Sequence, residues 1–161
     1  MEPKPMSHSL FIMTQVMQPT DANVYGNVHG GSIMKLVDVA GAYSAMRHCR
    51  RPVVTVAIDS MSFRAPVHIG DIVTATARVT GVGHTSLEVT VTVEAENPLT
   101  GQRTHTSTAH LVYVALDEHG QPVPVPPLLA ETEEERRELE AAAQRRRARL
   151  ALRASQGTQA G

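Results

Sequence analysis

One stretch decides the fold: Asn23-Val-Tyr-Gly26-Asn27-Val-His29-Gly30-Gly31-Ser-Ile-Met-Lys-Leu-Val-Asp38-Val-Ala-Gly-Ala-Tyr-Ser-Ala-Met-Arg-His48. A loop rich in amide and imidazole groups leads to a Gly-Gly pair, and the pair opens a helix. Ile33, Met34, Leu36, Val37, Val39, Ala40, Ala42, Tyr43, Ala45 and Met46 cover every side of that helix. A helix apolar all round is expected to be buried all round, and this one is too short and too often interrupted by polar groups to span a bilayer. Asp38 stands alone in its middle. A carboxylate there must be paired, solvated in a cleft or protonated, because burying it bare is costly.

Outward from the helix, Arg47 and His48 lie in the last turn, where positive charge suits the helix dipole, and Arg50-Arg51-Pro52 stops it. On the N-terminal side, Pro19 to Gly31 is a loop of turn formers, residues 9–17 form a strand, and residues 1–8 read as a loose start with Pro3 and Pro5. On the C-terminal side four strand-like runs follow. Val53 to Phe63 comes first. Ile72 to Thr80 alternates, with Val73, Ala75, Ala77 and Val79 on one face; Leu87 to Ala95 does the same, with Leu87, Val89, Val91 and Val93 inward. Arg103 to Leu116 closes the set. Gly81-Val-Gly83 and Asn97-Pro-Leu-Thr-Gly101 are turns between runs. One polar face per strand implies an antiparallel sheet covered on one side, and a curved meander around one helix buries both elements.

Pro122-Val-Pro-Val-Pro-Pro127 reads as a stiff linker. Beyond it, acidic residues precede basic ones in a charged helix, with Glu133–Arg137 at i,i+4 and only Leu139, Ala142, Ala143 and Leu150 as an apolar stripe. The expected organisation is therefore a domain over 9–120, a linker over 121–130, a charged helix over 131–154 and a disordered tail over 155–161.

The 161 residues suit one domain plus a tail, and with aromatics at 3% and no Trp the core must be aliphatic. Cys49 has no internal disulfide partner, which fits a reducing cytoplasm. A formal charge of −1 supplies no field for nucleic acid. No run reaches membrane-span length, and the first residues are not a signal peptide.

The run Asp21-Ala-Asn23-x-x-Gly26-Asn27-Val-His29-Gly30-Gly31-x6-Asp38 resembles the hotdog-fold acyl-CoA thioesterases, of the brain-type cytosolic acyl-CoA hydrolase kind and their single-domain bacterial relatives. Arg47-His48-Cys49, Asp59-Ser-Met-Ser-Phe63, Pro66-Val-His-Ile-Gly70-Asp71, Glu96-Asn-Pro-Leu-Thr-Gly101 and Val123-Pro-Val-Pro-Pro127 support it. The resemblance implies an α+β hotdog fold: a long central helix wrapped by a curved antiparallel five-stranded sheet, here with a charged C-terminal helix added. It implies acyl-CoA as substrate, and a homodimer assembled further as a trimer of dimers into a hexamer. It also implies that Asn23 and Asp38 face each other across a dimer interface. At position 27, where the family pattern allows Asp or Asn, this chain has Asn27.

Hydrolysis of a thioester needs a polarised carbonyl and an activated water or nucleophile. Backbone N–H groups at Gly30 and Gly31, at a helix N-terminus, suit a developing oxyanion; the bland alternative is a tight turn into a crowded helix. Asp38 serves as general base or as nucleophile, against the alternative of an ion pair with Lys35 on a wet face. Asn23 orients water or the thioester oxygen, against a purely local turn role. His29 lines the pocket, as a candidate substrate (CoA) contact, or packs at the interface. Arg64, and His84-Thr85-Ser86 at a hairpin, are candidate contacts for CoA phosphates, as is Arg145-Arg-Arg147, although a solvated helical face explains that run as well. His68, His105 and His110 lack metal-ligand spacing, so no metal is expected, and no cofactor beyond the CoA of the substrate. Two other functions suit the residues: enoyl-CoA hydration, which Asp21, Asn23 and His29 imitate, and non-catalytic acyl-CoA sensing through the charged tail.

Overall fold

A computed structural model describes residues 1–158. The short strand β1 (Lys4–Pro5) and β2 (Phe11–Val16) precede α1 (Gly30–Cys49). Four long strands follow: β3 (Val53–Phe63), β4 (Ile72–Val82), β5 (Ser86–Glu96) and β6 (Arg103–Ala115). The chain ends with β7 (Leu128–Leu129) and α2 (Glu133–Thr158). Five strands form one antiparallel sheet in the order β2-β4-β5-β6-β3, and β1 pairs with β7 in parallel.

The alternating runs point as their pattern requires. Val73, Ala75, Ala77 and Val79 on β4, and Leu87, Val89, Val91 and Val93 on β5, are fully buried against α1. Each buried Val or Leu is worth roughly 1.5–3 kcal/mol relative to exposure, so these two strands and the helix hold the core together.

Three expectations need correction. The strands do not form a simple meander: β3 pairs with β6, not with the β4 that follows it, and so lies at the edge of the sheet. Residues 64–71 make the crossover and are tied to the loop before α1, Val28 N–H donating to Val67 O at 2.9 Å. Nor is α1 buried all round. Ile33, Leu36, Val37, Ala40 and Ala45 face the sheet and His48 is buried against the Pro126 carbonyl, but Met34 and Tyr43 are exposed, because one five-stranded sheet covers only one side of a helix. The residues before β2 are not loose. Met6 is fully buried, Lys4 Nζ donates to His48 O at 2.8 Å, and Ser9 Oγ accepts from Val79 N at 2.9 Å.

The C-terminal segments are also docked. The Pro-rich stretch is extended but bound to the body: Val125 is buried, and Val123 and Val125 N–H donate to Ala115 O and His84 O at 2.9 Å each. Thr132 and Glu135 cap α2 reciprocally: Glu135 N–H donates to Thr132 Oγ1 at 3.1 Å, while Thr132 N–H donates to Glu135 Oε2 at 3.4 Å. The helix then crosses the outer face of the sheet. Ala142 is buried, and a Cβ added at Gly81 would stand 2.8 Å from its own. Arg78 reaches Glu138 at 2.6 Å, Arg145 holds Glu88, and Arg149 pairs with Asp59. The apolar stripe seen in the sequence understates this contact, because ion pairs to the sheet add to it. The helix continues through residue 158, past the expected tail start at Ser155, whose Oγ donates to Leu152 O. The last three tail residues lie outside the described residues.

Candidate active site

Helix α1 begins where His29, in extended backbone conformation, caps it. Its Nδ1 accepts from Gly31 N–H at 2.9 Å, so the ring is the tautomer carrying its proton on Nε2. This corrects the expectation of an open Gly31 N–H: a helix N-terminus has orphan donors, and the preceding imidazole satisfies one of them. Gly30 lies under Phe63, whose Cζ would be 3.6 Å from a Cβ there. Arg64, next in the chain, is exposed at this same end of the helix.

Asp38 lies eight residues beyond Gly30, about 12 Å along the axis. It is half-buried, on the side of α1 that meets β3 and β6. Two hydroxyls hold it. Thr55 Oγ1 donates to Asp38 Oδ1 at 2.8 Å, and Tyr113 Oη lies 3.2 Å from the same oxygen and 3.0 Å from the Asp38 carbonyl. Thr55 and Tyr113 are opposite each other in the β3–β6 ladder, so strand register delivers both to one point. Tyr113 is fully buried; burial and then the neighbouring Asp38 carboxylate push its phenol far above its ordinary range, so it keeps its proton and donates. Lys35 is not the partner of Asp38. Sequence reasoning missed Thr55 and Tyr113, since each looks like any other strand former.

Asn23 sits in a local turn. Its Oδ1 accepts from Tyr25 N–H at 2.9 Å and from Asn27 N–H at 3.2 Å, and none of its side-chain bonds among the described residues reaches Asp38. The expected CoA contacts are not gathered in one chain either. Through the ladders, Phe63 is level with Ser107 and Val93, seven residues along β5 from Ser86. His84, Thr85 and Ser86 therefore lie roughly 20 Å from Arg64 and His29 along the sheet. The hairpin borders a different cavity of about 170 Å³, closed by α2 residues including Arg146 and Arg147. Among the described residues no three His, Cys, Asp or Glu side chains converge as metal ligands, and no helix is long and apolar enough to cross a membrane.

The thioesterase superfamily profile matches residues 25–102, which include α1, Asp38 and Thr55. An uncharacterized acyl-CoA thioester hydrolase of Bacillus subtilis is 42% identical over 127 residues, 79% of this chain and 74% of that protein. The chain belongs to the hotdog acyl-CoA thioester hydrolase family. Within the family, the cytosolic acyl coenzyme A thioester hydrolase of Rattus norvegicus is 34% identical over 86% of this chain, which spans only 37% of that longer protein. The crystal structure of an apo-hexameric acyl-CoA thioesterase superposes with a TM-score of 0.91 at 39% identity, covering 96% of this chain and 99% of that one. A Staphylococcus aureus acyl-CoA hydrolase, solved with butyryl coenzyme A, coenzyme A and coenzyme A disulfide, gives 0.88 at 31% identity over 97% and 95% of the two chains. Structures of that enzyme include single alanine variants of an asparagine, an aspartate and a threonine, fifteen and then seventeen residues apart. Asn23, Asp38 and Thr55 stand at the same two separations here.

Proposed function

We propose that this protein hydrolyses acyl-CoA thioesters to a free carboxylic acid and CoA, with Asp38 as the reacting carboxylate. The observation that carries the reading is the half-exposed Asp38 carboxylate anchored by Thr55, in a trio of residues spaced like the three replaced in the Staphylococcus aureus hydrolase. Water adds to the thioester carbon, its proton passing to Asp38, or Asp38 attacks first and water hydrolyses the resulting anhydride; either way the C–S bond breaks and the thiolate leaves with a proton. Because Asp38 lies about 12 Å from the start of its own helix, the carbonyl oxygen takes the N-terminal end of the α1 of the opposite subunit in the dimer, displacing that subunit's His29 Nδ1 from its Gly31 N–H, with Gly30 alongside. Arg64 and His29 flank that end as contacts for the CoA moiety. The reaction takes water and no further cofactor.

The active unit in this reading is a homodimer, further assembled as three dimers. Support comes from the unpaired edge of β3, where Val54, Val56 and Ile58 are exposed, and from the exposed Met34 and Tyr43 on α1. Such an edge and face suit a second copy, and related thioesterases are hexameric. Asn23, which makes no hydrogen bond to Asp38 among the described residues, then meets the Asp38 of the other subunit, and His84, Thr85 and Ser86 contact CoA held mainly by a neighbour. The free thiol of Cys49, buried with its pKa pushed up by desolvation, suits the cytoplasm as the working compartment.

The test is thiol release from saturated acyl-CoAs of increasing length. Wild type releases thiol, and Asp38→Asn loses roughly 10²–10⁴-fold in kcat, the usual worth of a positioned acid–base group. An enoyl-CoA hydratase would release no thiol, and a sensor would bind without turnover. Full activity in Asp38→Asn overturns the assigned role.

A further inference from the structure

We infer that Tyr113 is a positioning residue that, together with Thr55, ties down Oδ1 of Asp38 and leaves Oδ2 as the oxygen that works on the substrate. The inference rests on the assignment of Asp38 above. Both hydroxyls address the same oxygen, Thr55 at 2.8 Å and Tyr113 at 3.2 Å. Tyr113 has one proton to give, and it is shared between that oxygen and the Asp38 backbone carbonyl at 3.0 Å, so the phenol bridges the main chain and the side chain of the residue. A carboxylate whose one oxygen accepts from Thr55 and shares the Tyr113 proton has less freedom about χ2, and its other oxygen is aimed before substrate arrives.

The helix is shaped to admit this phenol. A Cβ added at Gly41 would lie 2.3 Å from Tyr113 Oη and 3.1 Å from Cζ, so only glycine lets the ring cross α1 here. Gly41 is three residues beyond Asp38, on the adjacent turn, and is itself buried. The glycine notch, the buried ring and the β3–β6 register together place one hydroxyl beside the acid. The hydroxyl is neither exposed nor aimed at solvent, so its part is to orient Asp38 rather than to touch substrate.

Tyr113→Phe keeps the ring and removes the bond. It is expected to lower kcat roughly tenfold, the worth of a hydrogen bond to a charged group, with KM changed less than about twofold. Gly41→Ala should lower kcat similarly and also lower the melting temperature, because the phenol is pushed away. Gly41→Ala with Tyr113→Phe frees the space the oxygen held: the melting temperature recovers relative to Gly41→Ala, and kcat does not. A merely structural Tyr113 would show kcat following the melting temperature, which overturns the inference. So does a Tyr113→Phe enzyme with wild-type kcat while Asp38→Asn is inactive. In the Asp38→Asn background Tyr113→Phe should cost nothing more, and a further tenfold fall there also overturns it. An active Asp38→Asn, by contrast, overturns the function assigned to the site, whatever Tyr113 does.

Discussion

Thr55 Oγ1 donates to Asp38 Oδ1 across 2.8 Å, from the free edge strand β3 to the middle of α1. Thr55 is exposed in the single chain and Asp38 half-buried, so the bond lies where β3 and α1 meet the open face. Thr55→Val keeps the β-branched shape and removes the donor. We expect kcat to fall by roughly tenfold, the worth of a bond to a charged group, and the melting temperature to change little. Wild-type turnover by this variant in the thiol-release assay would show that the bond only decorates the site.

Asn23 spends its side-chain oxygen on its own turn, and none of its side-chain hydrogen bonds among the described residues reaches Asp38; the dimer proposed above has it meet the Asp38 of the other subunit. Asn23→Ala and Asp38→Ala proteins should each be nearly inactive. After demonstrated subunit exchange, mixed dimers hold one intact site, and activity should return to a fraction of wild type. No recovery despite exchange would mean that each chain carries a complete site.

Arg145 places Nε and Nη2 2.9 and 2.7 Å from Glu88 Oε1, and the Glu88 carboxylate is almost wholly buried beneath α2. Arg145→Ala leaves that charge covered, with Arg149 at 3.7 Å as its remaining cation among the described residues. Breaking a buried pair this way should cost about 3 kcal/mol. Adding Glu88→Gln should restore part of it, since the unpaired charge is then gone. Truncation after Leu129 also removes the pair but opens Glu88 to water, so its penalty is the lost docking of α2. Urea unfolding of the three proteins separates these cases; identical midpoints for Arg145→Ala and wild type would show that α2 is only loosely held.

His48 is fully buried, with Nε2 2.9 Å from Pro126 O, and burial lowers its pKa below the ordinary 6.5 despite that bond. Below about pH 6.5 the unfolded chain binds a proton that the folded chain refuses, so stability falls as pH falls. His110 is shifted the same way, by burial and then by Arg145. At fixed protein concentration, the drop in urea midpoint from pH 7.5 to 5.5 should shrink, but not vanish, in His48→Gln. An unchanged drop would place the acid sensitivity elsewhere.

The sequence alone determined the local pattern. Alternation marked the inward faces of β4 and β5 residue by residue, and the apolar run after Gly30-Gly31 marked α1 nearly to its last residue. Asp38 stood out because an isolated acid in an apolar helix is costly anywhere. Only tertiary structure decided that β3 crosses to the edge beside β6, since periodicity fixes which side chains share a face but not which strand is the neighbour. Only it could bring Thr55 and Tyr113 to one oxygen, because the two are ordinary strand formers until the register sets them opposite each other. The same holds for α2: its charges read as a solvated face, yet Glu88, 57 residues before Arg145, waits on the outer surface of the sheet. Charge along a chain is local information, and pairing is a property of folded space.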